Sequence, residues 1–208
     1  MDKAILGKKL GMTQMFTETG EMIPVTAIMA GPCPVVQVKT LECDGYQAVQ
    51  VAFDPIAERK LNKPRRGHFT KANVQPHRVL REFRLLDVSS YQVGDQMKAD
   101  LFAVGDAVDV IGISLGKGFS GGIKRWHFHS GPMTHGSKYH RSPGSLQARD
   151  SSRVWKGRKL PGHLGAVRRT VQNLQVVKVD VEQNLILVKG SVPGPKGGVI
   201  TIKNSVKA

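Results

Sequence analysis

Residues 114–169 carry twelve Lys and Arg and ten Gly against a single acid, Asp150, with few aliphatic side chains over 56 positions. Such a segment cannot bury enough apolar surface to offset the entropy of ordering its backbone, so it is not a folding unit that builds its own core. It is flanked by short runs rich in Val and Ile. Any fold for this chain must therefore close one core from sequence on both sides of a long polar insert. Compact domains do not keep so long a connection without structure of its own unless it is disordered or serves a function.

The flanking runs, residues 22–30, 35–40, 46–53, 107–114, 171–181 and 185–189, are short and separated by turn-forming residues, the pattern of β-strands. Thr19-Gly20-Glu21 and Glu182-Gln183-Asn184 are links of hairpin length, and Gly31-Pro32 and Pro193-Gly194-Pro195 punctuate strand ends. The expectation is a mainly β chain whose single domain is a small antiparallel β-barrel, because closure removes exposed strand edges. Its barrel is expected from residues 1–54, 85–113 and 170–208, with a basic, partly helical insertion at 55–84 and an extended arm at 114–169. Within the insertion, residues 55–60 and 75–83 are each expected to start a helix, the first with Pro55 leading it.

Charge says what the insert meets. The chain carries 31 Lys and Arg against 16 Asp and Glu, a net +15; residues 114–169 hold +11 of it, residues 55–84 hold +7, and the remainder is −3. That excess suits a polyanion. No run approaches the roughly 20 apolar residues of a membrane span, and no basic stripe has a large apolar opposite face, so nucleic acid is favoured over a membrane surface. Lys117, Lys124, Arg125, Lys138, Arg141, Arg149, Arg153, Lys156, Arg158, Lys159, Arg168 and Arg169 are candidates to neutralise phosphates. Trp126, Tyr139 and Trp155, with Phe128 and His129, offer faces for stacking on unpaired bases, and His127, His135, His140 and His163 can donate to phosphate or stack. Arg65, Arg66, His68 and Lys71 form a second candidate patch in the insertion. Cys33 and Cys43 are expected to be small buried hydrophobes in a reduced, cytoplasmic chain, whose first ten residues show no leader pattern.

Three enzyme-like motifs overlap near residue 116. Gly116, Gly118 and Gly121 match a dinucleotide fingerprint, but residues 123–149 contain no acid to hold a ribose. Residues 112–118 fall one residue short of a phosphate loop, and Gly118 stands where Ser or Thr should hold magnesium. Gly112, Ser114 and Gly116 fit a nucleophile elbow, with Asp150 and His163 following in hydrolase order, yet the alternating strand and helix pattern that an elbow needs is missing. His127, His129, His135 and His140 lack the Cys or carboxylate companions of a metal site.

Composition alone would also suit a free-standing nucleic-acid chaperone or nucleoid protein. A series of short pieces argues otherwise: Ile5-Leu6-Gly7-Lys8-Lys9-Leu10-Gly11-Met12-Thr13, Gly67-His68-Phe69, Gly116-Lys117-Gly118-Phe119, Lys124-Arg125-Trp126, Thr134-His135-Gly136-Ser137, His140-Arg141, Lys156-Gly157-Arg158-Lys159, Thr170-Val171-Gln172-Asn173-Leu174 and residues 188–194. In these pieces, and in their order, the chain resembles the family of bacterial ribosomal large-subunit protein three nearly end to end. The resemblance implies a β-barrel of the translation-protein type and a loop, here residues 124–164 with its tip at 145–152, that enters 23S rRNA towards the peptidyl-transferase centre. It further implies an early role in subunit assembly and contacts with ribosomal proteins fourteen and nineteen. With the enzyme-like motifs incomplete, no enzymatic activity, cofactor, metal or small-molecule substrate is expected. At the tip the chain departs from the family pattern, because Leu146 is followed directly by Gln147.

Overall fold

The computed structural model describes residues 3–147 and 149–207. Twelve strands run in chain order: β1 (Ala4–Phe16), β2 (Met22–Ala30), β3 (Cys33–Lys39), β4 (Ala48–Pro55), β5 (His77–Phe83), β6 (Gln96–Met97), β7 (Ala107–Ile113), β8 (Phe119–Ser120), β9 (Gly162–His163), β10 (Arg168–Asp180), β11 (Leu185–Lys189) and β12 (Val199–Asn204). Three short α-helices join them: α1 (Leu41–Asp44), α2 (Lys63–Lys71) and α3 (Gly122–Trp126). The chain divides into two compact units, one formed by Met1–Ile113 with Arg168–Ala208 and the other by Ser114–Val167.

In the first unit six strands close an antiparallel barrel in the order β1-β12-β7-β10-β11-β2. Side chains alternate across each strand, so Val108 and Val110, Ile186 and Val188, and Ile200 and Ile202 all point inward and are buried. Both expected hairpins are present: Phe16 pairs with Met22 around Gly20, which takes a left-handed φ of +83°, and Asp180 pairs with Leu185. Gly7 marks the tightest approach between strands, since a Cβ there would lie 2.8 Å from the Met29 carbonyl oxygen.

The stretch 1–54 does not all join the barrel. β1 and β2 do, whereas β3 and β4 belong to a second sheet ordered β5-β4-β3-β6. Burial on both faces explains the difference. Cys33, Val35, Val49, Val51 and Phe53 pack into the same apolar cluster as the barrel interior, while Val36 and Ala52 pack against Leu61 and Phe69 on the far side. A strand covered twice fits a layer between barrel and helix.

The insertion departs further from expectation. Residues 75–83 are not helical. His77–Phe83 is strand β5, pairing with β4 from Pro55↔His77 to Val49↔Phe83 and so supplying an edge that β4 would otherwise lack. Residues 55–60 form only a 3-10 turn, Glu58–Lys60. The helix of this region is α2, with Pro64 in its first turn and Asn62 as its cap, the Asn62 carboxamide accepting from the Arg65 amide at 3.3 Å. It escaped pattern reading because Phe69 is its single buried residue and no apolar stripe exists to find. Replacing Asn62 by Ala is expected to lower unfolding stability by about 1 kcal/mol in a denaturant titration.

The two cysteines part company. Cys33 is buried beneath β1, where its thiol donates to the Leu6 carbonyl at 3.4 Å, and burial pushes its pKa up to about 12. Cys43 is exposed on α1, against the expectation that both would be buried: with none of its four residues in the core, that helix has no interior face. A thiol reagent at pH 8 should therefore modify one equivalent in the native protein, lost in Cys43→Ser, and a second only on unfolding. No helix among the described residues is long and apolar enough to cross a membrane.

Candidate nucleic-acid interface

The unit Ser114–Val167 is organised by its backbone and a few side chains in place of a core; among its described residues only Ser120 and Gly122 are buried. A ladder closes its base. The Ser114 amide donates to the Val167 carbonyl (2.9 Å), the Ala166 amide to Ser114 (3.2 Å), the Lys117 amide to Leu164 (2.8 Å) and the Leu164 amide to Gly118 (3.0 Å), and β8 pairs with β9 beyond. Gly165 makes this closure sterically possible, since its φ is +75° and a Cβ would collide with the Leu115 carbonyl.

Above the ladder, α3 directs two side chains at one acceptor. Arg125 Nη1 and Trp126 Nε1 both donate to the Leu160 carbonyl at 2.8 Å, and the Arg125 guanidinium lies 5.0 Å from the Trp126 ring centroid. Lys159 Nζ approaches the same ring at 5.8 Å. Arg125 and Trp126 therefore hold the two sides of the arm together, whatever else they touch. Further out, the Gly131 amide donates to the His140 carbonyl, His140 Nδ1 to Pro132 (3.0 Å), and Arg158 Nη2 to Ser145 (2.7 Å). The tip expected at 145–152 includes Ala148, which lies outside the described residues.

The remaining candidates point to solvent. Lys117, Lys124, His127, His135, Lys138, Arg141, Arg149, Lys156 and His163 are exposed. Tyr139 and Trp155 are exposed as well, with Arg153 stacked 5.1 Å from the Trp155 ring centroid. Among the described residues, none of the ten Lys and Arg of this unit is ion-paired, because the pairs present are Lys3–Asp106, Lys39–Glu82, Arg66–Glu58, Arg78–Asp54 and Lys203–Asp109. Exposed aromatics beside unneutralised cations form a surface that can stack on bases and contact phosphates at once. Phe119, 74% exposed and edge-on to His163, belongs to the same set; a lone aromatic in a Gly-rich run without a core was its available signal.

The second patch is less uniform. Arg65 and Lys71 are exposed and meet no carboxylate among the described residues, but Arg66 is tied to Glu58 by an ion pair (3.0 Å) and a bond to its carbonyl (3.3 Å). His68 is half-buried, its Nε2 2.6 Å from Gln50 Oε1. Gln50 in turn donates to Glu82, which also accepts from Tyr46 and pairs with Lys39. Partial burial pushes the Glu82 carboxyl up, but bonds from Lys39, Tyr46 and Gln50 bring it below its ordinary range. Arg168 and Arg169 lie on β10, exposed, opposite Ile113 and Gly112 of β7. The fold also gathers Arg81, Arg84 and Lys203 around Arg168. No local pattern could have shown this, because these cations come from three separate strand regions.

The enzyme-like motifs find no matching geometry. Ser114 leaves β7 without entering a helix, and its hydroxyl accepts from the Val167 amide at 3.3 Å. Gly116, Gly118 and Gly121 precede only the five-residue α3. Among the described residues no three His, Cys, Asp or Glu side chains converge as a metal site requires.

The family model of ribosomal protein L3 matches residues 85–184. The chain is 61% identical to the large ribosomal subunit protein uL3 of Carboxydothermus hydrogenoformans, over 100% of this chain and 99% of that protein. It is likewise 61% identical to uL3 of Pelotomaculum thermopropionicum (100% and 99% covered) and 57% identical to that of Heliobacterium modesticaldum (99% and 98%). Identity at this level over the whole chain, with a barrel and a cationic arm in place, means that the chain belongs to the ribosomal protein L3 family, the uL3 proteins of the large ribosomal subunit.

Proposed function

We propose that this chain, as a structural constituent of the large ribosomal subunit, binds 23S rRNA directly through the Ser114–Val167 arm and the exposed cations of α2. The observation that carries the reading is that ten Lys and Arg stand in the arm without a carboxylate partner among the described residues. Cations left unpaired in a segment with one acid are suited to phosphates, and Gly lets backbone approach backbone closely. Arg149, Arg153, Lys156, Arg158 and Lys159 contact phosphates near the tip, while Tyr139 and Trp155 stack on unpaired bases.

The arm reaches towards the peptidyl-transferase centre and acts there without chemistry of its own. Holding RNA segments in place is enough to influence a ribozyme, because small misplacements at a reacting centre are costly. The barrel unit joins the subunit early in its assembly, in the cytoplasm, and lies beside ribosomal proteins fourteen and nineteen.

The test replaces residues 147–152 by a short Gly-Ser link and assembles large subunits with the altered chain. The variant should incorporate and remain bound through a high-salt wash, while peptidyl transfer or antibiotic sensitivity at the centre changes. Normal incorporation with wild-type transfer rates and drug responses would remove the role at the centre. Loss of the unaltered chain in the wash would favour a free-standing RNA chaperone instead.

A further inference from the structure

We infer that a groove on the barrel unit, separate from the arm, seats a stretch of RNA phosphodiester backbone. The groove encloses about 480 Å³ between the end of β5 and the outer face of β7, β10 and β12. Arg81 and Arg84 line it from the β5 side, Arg168 and Lys203 from the barrel side, and Phe83 and Thr201 lie between them.

Charge complementarity identifies the occupant. Arg81, Arg84 and Arg168 are exposed, and among the described residues none of them meets a carboxylate. Arg84 is positioned by the Tyr46 ring, 5.0 Å from its guanidinium carbon, a contact that leaves its N–H groups free to donate. The acids nearby are already engaged. Glu82 also lines the groove, but its carboxylate is held by Lys39, Tyr46 and Gln50. Asp109 is fully buried, its Oδ1 accepting from the Asn173 amide at 3.0 Å and its Oδ2 3.8 Å from Lys203. The groove thus presents four cations on two facing walls against a single exposed carboxylate, Glu82, which Lys39, Tyr46 and Gln50 already engage. The half-buried Ile111, with the buried Phe83 and Thr201 beside it, forms a floor against which a ribose between successive phosphates can lie. Two cationic walls over such a floor fit a linear polyanion better than an acidic protein surface, whose carboxylates would have to converge from separate side chains.

The inference rests on the reading of the chain as an rRNA-binding protein, and the experiment separates the two. Full-length protein is titrated with a 23S rRNA transcript from 50 to 200 mM KCl, comparing wild type with Arg81→Gln/Arg84→Gln and with Lys189→Gln/Lys196→Gln, which removes the same charge outside the groove. Loss of two phosphate contacts should make the slope of log K against log salt shallower by about 1.4 to 1.8, which corresponds to roughly 25- to 60-fold weaker binding at 100 mM. The control pair should stay within about threefold of wild type. Arg168→Gln tests the other wall and should cost about half that slope. Lys203 is left intact because its removal would strand buried Asp109. Groove variants that bind like the control pair, while wild type binds tightly, would overturn the groove alone and favour an acidic protein partner there. Absence of transcript binding by wild type would overturn both readings.

Discussion

Affinity for a 23S rRNA transcript is expected to fall by about three to five decades between 50 and 200 mM salt if six to ten phosphates are neutralised. The number of contacts follows from counting cations that have nothing else to pair with. Of the ten in the Ser114–Val167 unit, Arg125 and Arg158 are already bonded to the Leu160 and Ser145 carbonyls; the eight left, with Arg65 and Lys71 of α2, set the upper figure of ten. Paired cations are discounted: Arg66 is held by Glu58, and Lys39, whose pKa is raised chiefly by its bond to Tyr46 and then by Glu82, is locked into a network on the protein's own surface. Neutralising a phosphate releases a condensed counterion, and that release is what salt opposes. A filter-binding series across this range reads the slope directly. A slope near zero would mean that the cations are merely solvated.

Replacing Gly165 by Ala is expected to weaken RNA binding by about 30- to 150-fold while leaving the barrel's thermal unfolding midpoint unchanged. A residue with a side chain at φ +75° is strained by a few kcal/mol at most, and here the new Cβ would also meet the Leu115 carbonyl, so the ladder from Ser114 to Leu164 must part. Restoring the arm's base on RNA then costs about 2 to 3 kcal/mol, which is the fold-change stated. The barrel is unaffected because its apolar cluster includes no residue of the arm. The same substitution at Gly136, where a Cβ meets nothing, retains the strain of a positive φ without the collision and should cost less. Equal affinity of Gly165→Ala and wild type in the filter-binding assay would show that the base ladder does not organise the bound arm.

Residue pattern made much of this fold legible, and the exceptions share a cause. Residues 22–30, 107–113 and 185–189 were readable because Val and Ile alternate or cluster between turn residues and the strands bury one or both faces in a single core. β1 carries only a weak strand signal: it includes Gly7, Lys8, Lys9 and Gly11 and buries only Ala4–Gly7, so its pattern is diluted along thirteen residues. β12 was lost behind the Gly and Lys of residues 194–198. β5 and β6 depend on pairing between distant residues, Val49 with Phe83 and Cys33 with Met97 for example, and pairing at that range leaves no local trace. The same holds for the candidate site. The arm announces itself by composition, since one acid in 56 residues is visible without a fold. The groove around Arg81, Arg84, Arg168 and Lys203 is visible only after β5 and the barrel have been placed.

Whether the arm's exposed aromatics and cations lie against ribosomal RNA can be read by photo-crosslinking within the assembled large subunit. Irradiated subunits carrying this chain should yield crosslinks from Tyr139, Trp155 and neighbouring residues of Ser114–Val167 to 23S rRNA nucleotides, concentrated near the peptidyl-transferase centre. Crosslinks confined to the barrel unit, with every arm residue unattached to RNA, would contradict that contact.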